Sequence, residues 1–180
     1  MATFVVLLKG VNVGKARRVP MADFKGSLLE LGCTKVTTLL NSGNAVIKHP
    51  KAEADALAKK IAAALARRFG FDVPVIVKSG TEFNCVVAEN VLLVPAEEHP
   101  RVLVAFAQSK EALSALGTLS KYISEPEQFL LKGQAAYLYC AGGILDSQAA
   151  KAILGVIGKS VTTRNWATVL KLHALANSDA

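Results

Sequence analysis

The sequence predicts an α+β protein made of two ferredoxin-like β-α-β-β-α-β units with an extra C-terminal helix. Three observations support this fold class. Short runs of β-branched and apolar residues, typical of strands, alternate with longer segments of helical periodicity. The order of these segments in the first half is β-α-β-β-α-β, and the second half repeats that order. We therefore expect an N-terminal unit over residues 1–90 and a C-terminal unit over residues 96–180.

The elements of the first unit follow from apolar runs and from the residues that end them. The helix after Pro20 carries Phe24 and Leu28 on one face and stops at Gly32, and a long alanine-rich helix stops at Gly70. The predicted bounds are strand 3–9, helix 21–31, strands 35–40 and 45–49, helix 52–69 and strand 73–78.

The second unit follows a further helix and a segment bounded by prolines. Its elements have the same order as those of the first unit, although the two halves share no obvious residue identity. The predicted bounds are helix 82–89, linker 95–100, strand 101–107, helix 110–119, strands 128–131 and 135–139, helix 147–157, a short strand near Val161 and a last helix 165–176.

The composition excludes several classes of protein. The chain has 180 residues, of which 52% are hydrophobic and 19% charged, which is typical of a globular protein and excludes disorder and collagen. No apolar run approaches the roughly 20 residues that a membrane span requires. No basic stretch precedes the first apolar run, so a secretory signal is not expected. These features predict a soluble, cytoplasmic protein that does not enter membranes.

The cysteines and histidines indicate neither a disulfide framework nor a metal site. Cys33, Cys85 and Cys140 are far apart and odd in number, which favours free thiols in a reducing compartment. The histidines form no metal-binding spacing with each other or with the cysteines. We therefore expect no metal and no other cofactor.

Positive charge is concentrated in the first half of the chain. The net charge is +7; residues 1–90 carry 13 basic and 7 acidic side chains, whereas residues 91–180 carry 8 and 7. No acidic residue precedes Asp23, although Lys9, Lys15, Arg17 and Arg18 do. This asymmetry predicts an electropositive end that attracts phosphate, nucleic acid or an acidic metabolite, unless it serves only solubility.

A glycine-punctuated segment, GVNVG at 10–14, follows the first strand and leads into Lys15, Arg17 and Arg18. It is one residue too short for a P-loop and lacks the magnesium-binding Ser or Thr. Two interpretations stay open: a tight turn, or a loop whose backbone N–H groups and arginines bind an anion. Base stacking as in RNA-recognition modules is not expected, because the central strands lack the required aromatic residues.

The sequence NSGN at 41–44 predicts a hairpin turn between the second and third strands. In a β-α-β-β-α-β unit the first two strands run parallel, with the third antiparallel between them. The end of the first strand and this hairpin should therefore meet at one edge of the sheet. Asparagines there either clasp the two segments together or contribute to a ligand site.

The segment TTRNW at 162–166 is the third region of interest. Thr163 or Asn165 is a suitable N-cap for the last helix, and Trp166 continues an apolar face. Arg164 would then lie beside the positive end of the helix dipole, where a cation is unfavourable. We expect its guanidinium to contact a carboxylate or a bound anion.

Four blocks of the sequence, LLKGVNVG at 7–14, VPMAD at 19–23, NSGN at 41–44 and TRNWATV at 163–169, resemble an uncharacterised family, domain of unknown function 1697. The resemblance spans nearly the whole chain. It implies a two-part α+β fold of ferredoxin-like character and no established activity. The chain departs from the family pattern at Lys9, where arginine is usual, and at residues 142–147.

Two functions follow as hypotheses. The first is a module that binds a phosphate-bearing ligand, either nucleic acid or an anionic small molecule. The second is a hydrolase or transferase of a small phosphorylated substrate, by fold analogy with acylphosphatase-like enzymes, in which Arg17 or Arg18 and Asn41 would act. No catalytic base and no oligomeric state are predicted. The candidate ligand-binding residues are Lys9, Gly10, Asn12, Gly14, Arg17, Arg18, Asn41, Ser42, Asn44, Arg164 and Asn165.

Overall fold

Two four-stranded antiparallel sheets organise the chain in a computed structural model, which describes residues 1–178. They belong to two compact units, the first formed by residues 1–83 together with those from Leu172 onward, the second by residues 84–171. No helix within residues 1–178 is long and apolar enough to cross a membrane.

The first sheet has the strand order β2-β3-β1-β4, with β1 paired antiparallel to β3 and β4. Alternate residues of β1, namely Phe4, Val6 and Leu8, pack with apolar residues of α1 and α2 in one core. The elements that build this unit are β1 (Ala2–Leu8), α1 (Met21–Glu30), β2 (Thr34–Leu39), β3 (Asn44–His49), α2 (Ala54–Phe69) and β4 (Val75–Ser79).

The second sheet repeats this topology in the order β6-β7-β5-β8, with β5 in the place of β1. The same order in both sheets confirms the duplicated ferredoxin-like fold, with α6 as the extra C-terminal helix. Two 3-10 helices accompany this unit, Ala96–Arg101 before β5 and Ala115–Tyr122 after α4. The other elements are α3 (Gly80–Glu89), β5 (Val102–Ala107), α4 (Lys110–Ser114), β6 (Gln128–Leu131), β7 (Ala136–Tyr139), α5 (Gln148–Leu154), β8 (Val161–Asn165) and α6 (Trp166–Ala176).

The division between the units differs from the predicted ranges 1–90 and 96–180. The first unit ends at Phe83, inside α3, and the chain returns to it at Leu172, inside α6. Leu172 is fully buried. Helical periodicity alone shows that α6 has an apolar face, but it does not show that the last residues of α6 belong to the first unit.

Candidate functional site

The end of β1 lies beside the turn that joins β2 and β3. The backbone N–H of Leu8 donates to the carbonyl of Gly43 at 2.8 Å, and Leu7 pairs with Asn44 in the sheet. The predicted meeting of these two segments at one sheet edge is therefore confirmed. We call residues 10–18, which leave this edge, the glycine loop, and residues 40–43 the hairpin turn.

Asn12 holds the glycine loop closed and ties it to the hairpin turn. Its backbone has a positive φ of 56°, a conformation that asparagine tolerates better than most residues. Its side-chain nitrogen donates to the carbonyls of Val19 at 2.8 Å and Asn41 at 2.6 Å, and its side-chain oxygen accepts from Val19 N–H at 2.9 Å. Of the two roles proposed for the asparagines at this edge, a clasp between the segments or a contribution to a ligand site, these bonds show that Asn12 has the first.

Arg17 fastens the other side of the glycine loop. Its Nε donates to the carbonyl of Gly10 at 3.0 Å, and its Nη2 donates to the carbonyl of Asp72. The guanidinium carbon lies 5.0 Å from the centre of the Phe71 ring, within the range of a cation–π contact. Arg17 is therefore a structural residue here, because its planar group is already occupied by backbone oxygens and an aromatic face.

Arg18 is placed differently from its neighbour. It is exposed, and no hydrogen bond or ion pair joins its side chain to another of residues 1–178. It borders a cavity of about 350 Å³, the loop cavity. The residues lining the loop cavity are Asn12, Arg18, Val19, Pro20, Met21 and Asn41.

Helix α1 begins at the loop cavity. Pro20 occupies the N-cap position and supplies no side-chain hydrogen bond to the first turn. Asp23 lies in that turn, but Arg68 pairs with it at 3.0 Å. The positive end of the helix dipole thus adds to the charge of Arg18 at this place, and the nearby carboxylate is already neutralised.

The hairpin turn is built around a buried amide. Asn44 is fully buried, and its side-chain nitrogen donates to the carbonyl of Leu39 and the hydroxyl of Ser42, both at 2.9 Å. Asn41 is exposed; its backbone carbonyl accepts from Asn12, while its side chain has no hydrogen bond to the described residues 1–178. Asn44 and Ser42 therefore shape the turn, and Asn41 remains available to a ligand.

Lys9, Gly10 and Gly14 determine the backbone conformation at the start and in the middle of the glycine loop. Lys9 donates its backbone N–H to Pro74 at 3.0 Å, and partial burial lowers the pKa of its ammonium group. Gly10 and Gly14 both have positive φ, of 67° and 64°, which only glycine adopts without cost.

Arg164 and Asn165 belong to the second unit. Arg164 lies in β8, upstream of the helix and not in its first turn. It is 7% exposed and donates to the Thr162 hydroxyl at 2.8 Å and the Thr163 carbonyl at 2.7 Å. Burial lowers the pKa of its guanidinium to about 10, so it stays charged at neutral pH. Its predicted contact with a carboxylate or an anion stays a prediction.

Asn165 is the N-cap of α6; of the two residues predicted for this position, Thr163 and Asn165, the structure shows the second. Its side-chain oxygen accepts from the backbone N–H of Thr168 at 2.9 Å. Trp166 is 9% exposed and meets Tyr137 edge to face, with ring centres 6.5 Å apart. It is a core residue, as its apolar face predicts.

Sequence reasoning missed three residues that line the loop cavity: Val19, Pro20 and Met21. The sequence does carry a signal for them. A proline directly before an amphipathic segment marks the start of a helix, and its side chain has no polar group that could cap that helix. Within residues 1–178 no group of three or more His, Cys, Asp or Glu side chains is placed to hold a metal ion.

Comparison with known proteins identifies a family and a similar fold. No curated protein matches it. The solved structure of conserved bacterial protein SP0830 from Streptococcus pneumoniae has a similar fold, with a TM-score of 0.81 over 98% of this chain and 99% of that one. The two are 20% identical, so this likeness concerns the fold alone. The family described as protein of unknown function (DUF1697) matches residues 1–137, and the chain belongs to that family.

Proposed function

We propose that this protein binds a phosphate-bearing ligand in the loop cavity, with Arg18 as its principal contact. The observation that carries the proposal is the contrast between two adjacent arginines. Arg17 is held by backbone carbonyls and Phe71, whereas Arg18 borders a cavity and pairs with no other described residue in 1–178. A guanidinium group suits phosphate because its N–H donors match phosphate oxygens in pairs.

The surroundings of Arg18 favour an anion over a neutral ligand. Lys15 is exposed on the same loop, and no acidic residue occurs before Asp23. The start of α1 adds backbone N–H donors and a partial positive charge, which stabilises an anion by about 0.3–1 kcal/mol at an exposed helix end. The side chain of Asn41 offers one further donor at the cavity.

The size of the loop cavity favours a small molecule. Its volume of about 350 Å³ lies near the lower end of the range of roughly 300–1,000 Å³ found for small-molecule sites. A phosphorylated metabolite or one nucleotide would fill it. A nucleic acid would instead extend beyond the cavity and make several phosphate contacts, which would show as a steep dependence of affinity on salt.

Hydrolysis or transfer of a phosphorylated substrate is the second candidate. Arg18 and Asn41, the residue types that it requires, line the same cavity. The six lining residues include no carboxylate, imidazole, thiol or hydroxyl group that could attack or act as a base. Reaction would therefore depend on a water molecule positioned by Asn41, which makes binding without turnover the stronger proposal.

The test compares two arginine substitutions by calorimetry at low ionic strength. The probes are inorganic pyrophosphate, adenosine monophosphate and a short single-stranded oligonucleotide. Arg18→Gln should weaken binding of the preferred probe at least tenfold. Arg67→Gln removes the same charge from an exposed site on α2 and should leave binding unchanged.

Two results would contradict the proposal. One is the absence of heat with every probe for the unmodified protein. The other is an equal loss in both variants, which would attribute binding to overall charge. Release of phosphate from acetyl phosphate, lost in Asn41→Ala, would instead select the enzyme over the binding module.

A further inference from the structure

A second cavity lies on the face of the first sheet that is not covered by α1 and α2. Its volume is about 250 Å³. Phe4 points into the helix-covered core, so its neighbour Thr3 and the paired Lys48 lie on the opposite face, together with the pair Thr37 and Val46. The end of α6 covers them. We call this the α6 cavity, lined by Thr3, Lys35, Val36, Thr37, Val46, Ile47, Lys48, Leu175, Ala176 and Ser178.

The lining of the α6 cavity combines an apolar interior with two cations. Leu175 and Ala176 on the helix and Val46 on the sheet are apolar. Lys35 is exposed and Lys48 half-buried, and neither side chain forms an ion pair or a hydrogen bond with the other described residues in 1–178. Two uncompensated ammonium groups beside apolar surface fit a ligand that is anionic at one end and apolar at the other.

The end of α6 fixes how such a ligand would lie. Two of its last carbonyls are satisfied within the chain, that of His173 by the Asn177 side chain and that of Leu175 by the Ser178 hydroxyl, both at 2.8 Å. The negative end of the helix dipole still repels an anion there. The charged group would therefore lie toward the lysines of β2 and β3, and the apolar part under Leu175 and Ala176.

We propose that the α6 cavity binds a small carboxylate with an apolar body, held by Lys35 and Lys48. At roughly 30 Å³ for each water molecule displaced, about 250 Å³ corresponds to about eight waters, and so to a ligand of about eight to ten non-hydrogen atoms. Medium-chain fatty acids and simple aromatic acids have this size. The site is separate from the loop cavity, and no residue lines both.

Titration with octanoate, followed by backbone amide NMR of the full chain, tests this proposal. Octanoate should shift the amides of residues 35–37, 46–48 and 175–178 in a saturable manner. Octanol, which has the same chain length but no charge, should bind at least tenfold more weakly. Absence of saturable shifts at these residues, or equal affinity for the alcohol, would overturn the proposal.

Substitutions separate the two parts of the site. Lys35→Gln and Lys48→Gln should each weaken octanoate binding about five- to tenfold, whereas Lys60→Gln, at an exposed site on α2, should not change it. Ala176→Phe keeps every charge and fills the cavity, so it should abolish binding. Its amide spectrum outside α6 shows whether the fold is retained. Equal losses in Lys48→Gln and Lys60→Gln, or full binding by a folded Ala176→Phe variant, would contradict the assignment.

Discussion

Asn12 and Asn41 are the same residue type in one neighbourhood, and they serve different purposes. Asn12 uses both polar atoms of its side chain to close the glycine loop, while Asn41 is held only through its backbone carbonyl. The sequence could predict that these segments meet, because the topology requires it. It could not assign the two roles, because the partners of Asn12 are backbone groups of Val19 and Asn41, which almost any residue at those positions would supply.

Alanine should therefore lower the stability of the protein at position 12 and weaken ligand binding at position 41. Asn12→Ala leaves Val19 N–H and two carbonyls without their partner and places alanine at positive φ. We expect a loss of about 2–5 kcal/mol of unfolding free energy, from about 1–3 kcal/mol for the unpaired groups and about 1–2 kcal/mol for the backbone. Asn41→Ala should change it by less than about 0.5 kcal/mol. Urea denaturation measures both.

The binding assay completes this comparison. Asn41→Ala should weaken pyrophosphate binding while its urea midpoint stays unchanged. If Asn41→Ala destabilises the protein as much as Asn12→Ala does, the division between clasp and ligand contact is wrong.

At the scale of elements, the hairpin turn approaches β1 so closely that only glycine fits. Gly43 has a φ of 84°, and a Cβ at this position would lie 2.6 Å from the Cβ of Leu8. Leu8 is fully buried and cannot move aside without disturbing the core. The site of the proposed ligand is thus fixed to the centre of the first sheet.

Gly43→Ala should lower the free energy of unfolding more than Gly14→Ala, the matched substitution in the glycine loop. For Gly43→Ala we expect a loss of about 2–5 kcal/mol of unfolding free energy, from about 1–2 kcal/mol for the left-handed backbone and about 1–3 kcal/mol for overpacking. Gly14 has a φ of 64°, but a Cβ added there would meet no atom within 4 Å, so Gly14→Ala should lose only the backbone part. Thermal and urea unfolding of both variants give the difference. Equal losses would show that contact with Leu8 is not what requires glycine.

Most elements could be predicted within two residues because β-branched runs and glycine stops are local signals. The helix predicted at 110–119 is different, since α4 ends at Ser114 and a 3-10 helix continues to Tyr122. Leu113, Leu116 and Leu119 are buried and spaced by three residues. That spacing suits both helix types, so periodicity alone could not distinguish them.

The position of Arg164 shows a similar limit at the β8–α6 junction. A short strand was predicted near Val161, but β8 continues to Asn165, where α6 follows at once. The β-branched residues Thr162 and Thr163 extend the strand, and Asn165 caps the helix without an intervening loop. A junction without a loop leaves no turn signal in the sequence.

At the scale of the whole molecule, the fold is better determined by sequence than the site is. The duplicated strand order follows from the pattern of apolar runs, and a solved structure that is only 20% identical to this chain has a similar fold. The two cavities depend on side chains from distant segments. The loop cavity joins residue 12 to residue 41, and the α6 cavity joins residue 3 to residue 178.

The membership of α6 in both units predicts the effect of a C-terminal deletion. A chain ending at Lys171 lacks the fully buried Leu172 and also Leu175 and Ala176, the residues of α6 that line the α6 cavity. Loss of one buried leucine side chain lowers the free energy of unfolding by about 2–5 kcal/mol. We expect faster hydrogen exchange in β1 and β3, with β5 and β7 less affected. Unchanged exchange in the first sheet would show that the last turns of α6 do not stabilise it.

The return of α6 to the first unit has a consequence for synthesis on the ribosome. Roughly 90 residues separate Phe83 from Leu172. At about 5–20 residues per second, the nascent first unit would wait about 4–18 s for its final segment. During that interval one face of its sheet, including Thr37 and Val46, lacks the cover that Leu175 and Ala176 later provide. The half of the protein that is made first is the half that is finished last.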